Sequence, residues 1–338
     1  MADKHPPPRP AGAGEVAPTQ ETYDIIIVGA GIAGLSAAIY TTRERLSTLV
    51  LERQLPGGQI LLTARVENYP GFPEPINGME LADRLTQQAK RFGARIETGA
   101  EIVRVEAVGE GPERHIVLHG KDRRFRGRAV ILSVGSEYRR LGAPGEKRLM
   151  GYGVSYCATC DAPFYRDKHV LVVGGGDTAI DEGIHILDFA KRVTFVLRGQ
   201  EFRAERILLD ELFSHGDRVT VLANTSVEEI VGEKRVEGLV LRDVAADRKY
   251  LYDCDGVFVF IGLDPNTAFL KDTVALTEGG FIQTDACCLT TSVPGIWAAG
   301  DVRADTLKQA ATAAADGVTA ALNAKQYLRG RGVPMART

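Results

Sequence analysis

The chain has 338 residues, 44% hydrophobic and 25% charged, with a formal net charge of -3. That length holds about two ordinary domains, and the near-neutral balance gives no basis for binding nucleic acid or an anionic membrane. No apolar run approaches the ~20 residues that span a bilayer, and 5 cysteines in so long a chain make no disulfide scaffold, which fits a reducing, cytoplasmic setting.

Residues 1–20 are rich in Pro, Ala and Gly and lack an apolar stretch, so they read as a flexible tail and not as a signal peptide. Tyr23-Asp24-Ile25-Ile26-Ile27-Val28 follows, a short β-branched run with the pattern of a strand buried on both faces. It leads into Gly29-Ala30-Gly31-Ile32-Ala33-Gly34 and a helical stretch over 35–40. In such a fingerprint the first glycine makes a tight turn, the second admits a pyrophosphate to the backbone, and the third packs helix on strand. The helix N-terminus offers N–H groups to the anion. A second strand over 48–51 ends at Glu52, where a carboxylate accepts from an adenosine ribose. Strand, glycines, helix, strand and acid together predict a dinucleotide site.

Cys157-Ala158-Thr159-Cys160-Asp161 is a pair of thiols with a carboxylate attached. Such a pair can close a small disulfide, supply half of a zinc site, or exchange electrons with a partner. No second CxxC or nearby His pair accompanies it, so a metal is not expected. Two unreactive buried cysteines are the plain alternative. Position favours redox chemistry, because a second fingerprint follows closely. A strand over 169–173 enters Gly174-Gly175-Gly176-Asp177-Thr178-Ala179, with Ala179 a permitted small residue at the last position. A helix over 180–189 and a strand over 192–197 come next. The two fingerprints lie too far apart for one nucleotide unit and suit two domains. Cys254, Cys287 and Cys288 read as structural. Finally, an apolar strand over 293–301 ends in Gly300-Asp301, ahead of an Ala-rich helix over 308–327. Alone, Gly-Asp is an ordinary turn or cap.

In this order, Gly29 to Gly34, Gly57-Gly58-Gln59, Glu67-Asn68-Tyr69-Pro70-Gly71, Cys157 to Asp161, Gly174 to Ala179, Phe202-Arg203-Ala204-Glu205, Pro265-Asn266-Thr267 and Ala299-Gly300-Asp301 resemble the low-molecular-weight thioredoxin reductases. The resemblance spans about residues 23–328. It implies an α/β fold of two Rossmann-like, three-layer dinucleotide-binding domains. An FAD domain would be built from segments 21–138 and 264–330, with an NAD(P)H domain carrying the dithiol inserted over 139–263. FAD would be held by Gly29, Gly31, Gly34, Glu52, Gln59, Asn68, Gly300 and Asp301, with Gln309 and Ala310 capping the isoalloxazine side. NADPH would be held by Gly174, Gly176, Asp177, Thr178, Ala179, Arg198 and Arg203. Electrons would pass from NADPH through FAD and the Cys157/Cys160 pair to thioredoxin or a thioredoxin-like protein. By the same resemblance Cys160 lies nearer the flavin and Cys157 attacks the partner. Asp161 is the candidate acid/base, against a plain role as a helix cap or structural hydrogen bond. Relatives are usually homodimers, and their inserted domain rotates about crossings that correspond to 136–139 and 262–266.

The chain departs from the family pattern at the donor site. NADPH-using relatives commonly carry His-Arg-Arg there, with a further Arg four residues on; this chain has Leu197-Arg198-Gly199 and then Arg203. Arg198 stands where an acid would mark NADH, so the expectation is NADPH with a modest preference over NADH. Lys308 also replaces a frequent arginine beside the flavin. Three other readings share the motifs: a ferredoxin-dependent thioredoxin reductase, an FAD-dependent dithiol oxidase, and a flavin redox sensor. The intact second turn argues against the oxidase, and steady-state thioredoxin reduction separates an enzyme from a sensor.

Overall fold

A computed structural model describes residues 18–330; positions 1–17 of the expected tail lie outside the described residues. The chain opens with β1 (Pro18–Val28), α1 (Ile32–Arg43), β2 (Thr48–Glu52), α2 (Gly78–Arg91), β3 (Arg95–Thr98), β4 (Ile102–Val108), β5 (His115–Gly120) and β6 (Arg124–Leu132). Then come β7 (Ser136–Tyr138), α3 (Glu146–Leu149), β8 (Val154–Ser155), α4 (Ala158–Asp161), β9 (His169–Val173), α5 (Asp177–Leu187) and β10 (Arg192–Val196). They are followed by α6 (Arg206–Ser214), β11 (Val219–Leu222), β12 (Thr225–Val231), β13 (Gly238–Asp243), β14 (Arg248–Asp253) and β15 (Gly256–Val259). β16 (Leu263–Pro265), β17 (Ile296–Ala298) and α7 (Ala310–Leu328) complete the path.

The first sheet runs β3-β2-β1-β6-β5-β4, with β17 added on β6. Away from β1, β6 serves two further neighbours: its residues 124–127 pair antiparallel with β5, and 130–132 pair parallel with β17. The C-terminal strand therefore returns to the sheet that the N-terminal segment began. Between them the chain builds a second sheet, β11-β10-β9-β15-β8, parallel throughout, beside the antiparallel β12-β13-β14. β7 and β16 pair antiparallel where the chain passes between the sheets. This is the α/β architecture with two parallel-sheet units that the fingerprints predict.

Both founding strands are buried on both faces, which is why they read as unbroken apolar runs. Ile25 and Ile27 pack with residues of α1 and α7, whereas Ile26 and Val28 pack with Leu49, Phe125 and Ile296 on the opposite face. β9 repeats this, with Val170 and Val172 against Ile180 of α5 and with Leu171 and Val173 against Leu239 and Leu241. Each fully buried isoleucine contributes up to ~3 kcal/mol. The alanines of α7 have a different task. A Cβ on Gly317 would stand 2.1 Å from the Ala33 carbonyl oxygen, so α1 and α7 meet at backbone distance. That contact fixes where the N-terminus of α7 points.

Some boundaries differ from expectation. β1 already begins at Pro18, inside the stretch read as tail, because the start of β6 offers it an edge: Pro18 pairs with Arg124 and Thr22 with Arg126. β17 covers only Ile296–Ala298, since Gly295 (φ 90°) and Gly300 (φ 75°) turn the chain at either side. No described helix is long and apolar enough to cross a membrane. Among the described residues no group of three or more His, Cys, Asp or Glu is placed to hold a metal ion.

Candidate functional site

The three glycines of the first turn are needed for three different reasons. Gly29 has φ 98°, and a Cβ on it would lie 2.4 Å from the Ser133 carbonyl oxygen. A Cβ on Gly34 would lie 2.0 Å from the Gly29 oxygen, so this glycine lets α1 close onto the turn. Gly31 has ordinary extended backbone (φ -72°, ψ -174°), and a Cβ there meets nothing nearer than the Gly57 oxygen at 3.9 Å. The protein itself leaves that space open. The second turn repeats the design: a Cβ on Gly174 would lie 2.3 Å from the Phe260 oxygen, while Gly176 has only the Arg203 oxygen at 3.9 Å.

The open space at Gly31 belongs to a cavity of about 1300 Å³. Its walls bring together Gly29, Gly31, Glu52, Gln59, Asn68, Gly300, Asp301, Gln309 and Ala310 with Cys157, Cys160 and Asp161. Gly34 is not on the lining and acts from behind it. Glu52 accepts from the Ala30 N–H at 2.7 Å and the Gln54 N–H at 2.8 Å, so it also braces the turn. The Gln59 amide donates to the Ser136 carbonyl, and Asn68 Nδ2 donates to Gln309 Oε1 at 3.3 Å. Burial raises the Asp301 carboxyl above its usual range. Its carboxyl oxygens take no hydrogen bond from the described residues, and Lys308 Nζ donates instead to the Asp301 backbone oxygen at 2.8 Å. A cradle left open at Gly31 and a buried acid lacking donors at the head of α7 fit a bound dinucleotide rather than a packed core.

The dithiol stands on the wall of the same cavity. β8 delivers Cys157 to the start of the short helix α4, and Cys157 and Cys160 are joined as a disulfide with Cα atoms 5.3 Å apart. Cys157 Sγ accepts from the Cys160 N–H at 3.1 Å and from Gln309 Nε2 at 3.7 Å. The second contact ties the dithiol segment to α7. Just before it, Tyr156 donates to buried Glu146 at 2.5 Å, and Glu146 also accepts from the Leu141 and Gly142 N–H groups, each at 2.8 Å. Burial raises the Asp161 carboxyl, and the nearby Ser155 hydroxyl opposes the shift. Cys157, not Asp161, caps α4, and Asp161 stands at the N-cap of the 3-10 turn Ala162–Tyr165 without a capping hydrogen bond from its side chain.

The second turn does not face this cavity. Its parts gather at the ends of β9 and β10, where the Arg203 N–H donates to the Gly175 oxygen and the Glu205 N–H donates to Asp177 Oδ1, both at 2.7 Å. Thr178 is exposed and Ala179 buried at the head of α5. Arg198 and Arg203 are exposed, and neither makes an ion pair among the described residues. Gly199 leaves room for a side chain, its nearest obstacle being the Glu201 oxygen at 4.0 Å. Sequence reasoning missed Glu146 and Glu182. Glu182, on α5, accepts from the Ala158 N–H at 3.0 Å, and nothing in a helical stretch marks one acid as aimed at a dithiol. Cys254 is buried, its thiol pushed up to about 12, so it is inert at neutral pH.

The pyridine nucleotide-disulphide oxidoreductase family model matches residues 23–317. A thioredoxin reductase of Listeria monocytogenes is 43% identical over 314 residues, covering 93% of this chain and 96% of the relative. The crystal structure of thioredoxin reductase from Streptococcus pyogenes superposes with a TM-score of 0.87 at 37% identity, over 92% of this chain and 100% of that one. Lactococcus lactis thioredoxin reductase in its FR conformation reaches only 0.60 at 35% identity, although it covers 91% of this chain and 99% of its own.

Proposed function

The chain belongs to the thioredoxin reductases within the pyridine nucleotide-disulphide oxidoreductases, and on that premise we propose how its own residues divide the work. The enzyme reduces thioredoxin with NADPH and uses FAD. Bound FAD supplies two-electron transfer between a nicotinamide and a disulfide, which side chains cannot perform. Gly29 and Gly31 bring the backbone up to the pyrophosphate, Glu52 takes the ribose, Gln59 and Asn68 line the path, and Asp301 with the head of α7 takes the far end. One observation carries this assignment: the Cys157–Cys160 disulfide lies on the wall of the cavity that those residues enclose. Once the pair is reduced, the Cys157 thiolate attacks one sulfur of the partner disulfide and the other partner sulfur leaves as a thiolate, which takes a proton. Cys160 then attacks Cys157, re-forming the enzyme disulfide and releasing the second partner thiol. Asp161 is the group within the lining that can hold and deliver those protons.

Burial keeps Asp161 protonated to higher pH than a free aspartate. Asp161→Asn preserves its size and removes the titration. It is expected to lower thioredoxin turnover by ~10²-fold and to flatten the pH profile on the limb where Asp161 loses its proton. Steady-state assays across pH check this, and unchanged turnover would assign Asp161 to structure alone.

In this pose the dithiol meets the first cavity while the second turn points elsewhere, so one domain must move for NADPH to reach the same flavin. The β7/β16 ribbon, with Arg139 paired to Asp264 at 2.7 Å, is the crossing about which residues 139–263 would turn against 21–138 and 264–330. The superpositions support this. Two relatives of nearly equal identity and coverage differ widely in TM-score, as a change in domain placement would produce. The family resemblance also supports a homodimer in the cytoplasm, the former checked by light scattering.

Arg198 and Arg203, exposed and unpaired, are the proposed clamp on the 2′-phosphate of NADPH. Gly199 leaves a third cation missing where space exists. Arg198→Ala should erase most of the preference for NADPH over NADH. Gly199→Arg should tighten NADPH by ~10-fold, the worth of one charged contact. Values of kcat/KM for both donors test this; a preference untouched by Arg198→Ala would reject the clamp.

A further inference from the structure

The turn that carries the dithiol engages most of its backbone donors. At the head of α4 the Cys160 N–H goes to Cys157 Sγ at 3.1 Å, and the Asp161 N–H goes to the Cys157 oxygen at 3.2 Å. The Ala158 N–H goes to Glu182 at 3.0 Å, and the Thr159 N–H faces the same carboxylate. Glu182 belongs to α5, the helix that begins at the second glycine turn. A half-buried carboxylate from another element satisfies the amide of fully buried Ala158 at a desolvation cost of its own, and it sets a negative charge beside the residue that must become a thiolate.

We propose that Glu182 is a positioning residue for thiol–disulfide exchange: its carboxylate moors the Cys157–Cys160 turn through the Ala158 amide, and its charge restrains ionisation of Cys157. The proposal rests on the assignment of Cys157 as the attacking thiol. Mooring keeps the two sulfurs at closing distance when the disulfide is open, so that Cys160 can resolve the mixed disulfide before the partner leaves. The charge acts in the opposite sense to the backbone amides, which would otherwise stabilise the Cys157 thiolate. An attacking thiol works best with a pKa near ambient pH and loses nucleophilicity when it is too acidic, so restraint serves the exchange. Burial raises the Glu182 carboxyl and the two amides oppose that shift. The other titratable groups around Glu182 are Asp181 and His185 of the same helix and the neutral Tyr138 of β7, which Asp161 and Asp301 also face.

The test uses FAD-loaded enzyme in the Cys160→Ser background, so that Cys157 is the one thiol left of the pair. The rate of Cys157 labelling by iodoacetamide is followed across pH by peptide mass spectrometry. Glu182→Gln keeps an acceptor for the amides and removes the charge. It is expected to shift the labelling profile to lower pH and to speed labelling at neutral pH by ~10-fold, the scale of one nearby charge at a partly solvated site. In enzyme with both cysteines, Glu182→Ala should lower thioredoxin kcat while Glu182→Gln restores most of it. A Glu182→Gln labelling profile that superposes on that of the unmodified residue overturns the proposal, even if Glu182→Ala fails to fold. Thioredoxin reduction that persists in Cys157→Ser enzyme would instead overturn the underlying assignment of the attacking thiol, a separate readout from the labelling shift.

Discussion

Cys160→Ser holoenzyme is expected to lose thioredoxin reduction while its flavin absorbance still bleaches anaerobically with NADPH. With one sulfur missing, no disulfide can accept the electron pair, and a mixed disulfide formed at Cys157 cannot be resolved. The fall should be ~10⁴-fold or more, the scale on which loss of a covalent participant acts. No other cysteine can stand in. Cys254, Cys287 and Cys288 do not line the cavity, and burial pushes the Cys254 and Cys288 thiols up to about 12 and about 11. The substitution should leave the fold alone, because Cys157 still receives Gln309 and the amide of residue 160. Retained bleaching separates loss of the output stage from loss of the cofactor. Thioredoxin reduction at the wild-type rate would refute the relay.

The second large effect is expected at Gly31, where the variant should fold normally and bind no FAD. Valine is compatible with the extended backbone of Gly31, and its Cβ meets no protein atom closer than 3.9 Å. Its side chain enters the space assigned to the pyrophosphate. Loss of two charged backbone contacts at ~1.5–3 kcal/mol each weakens binding by roughly 10²- to 10⁴-fold. The contrast is Gly29→Val, which should unfold the turn itself, since its Cβ would lie 2.4 Å from the Ser133 oxygen. Thermal unfolding read beside flavin content decides the matter. A yellow Gly31→Val protein with full FAD content would show that the cavity serves something else.

How much of this was legible in the sequence depends on how local each cause is. The glycine turns were legible because each glycine answers to an atom of its own strand–turn–helix unit or to a ligand approaching it. The triple isoleucine of β1 betrayed a strand covered on both faces for the same reason. The division of β6 between β5 and β17 was not legible, since it depends on a strand more than a hundred residues away. Nor was the start of β1 at Pro18, where a composition typical of a tail is overridden by an edge on β6. The resemblance supplied Gln59, Asn68 and Gln309, which no spacing argument would have singled out; the structure adds that Asn68 and Gln309 touch each other. Glu182 and Glu146 stayed hidden because a carboxylate that serves backbone amides leaves no mark on periodicity. The face that the dithiol presents to the first cavity is a property of how two domains sit together, which no single segment encodes.

The most direct measurement is an anaerobic reaction of the wild-type enzyme with NADPH and oxidised thioredoxin, with NADPH loss and new thiols counted together. Equal numbers of NADPH molecules consumed and thioredoxin disulfides opened, each disulfide yielding two thiols, is the predicted result. NADPH that disappears only when oxygen is admitted, with thioredoxin left oxidised, would contradict it.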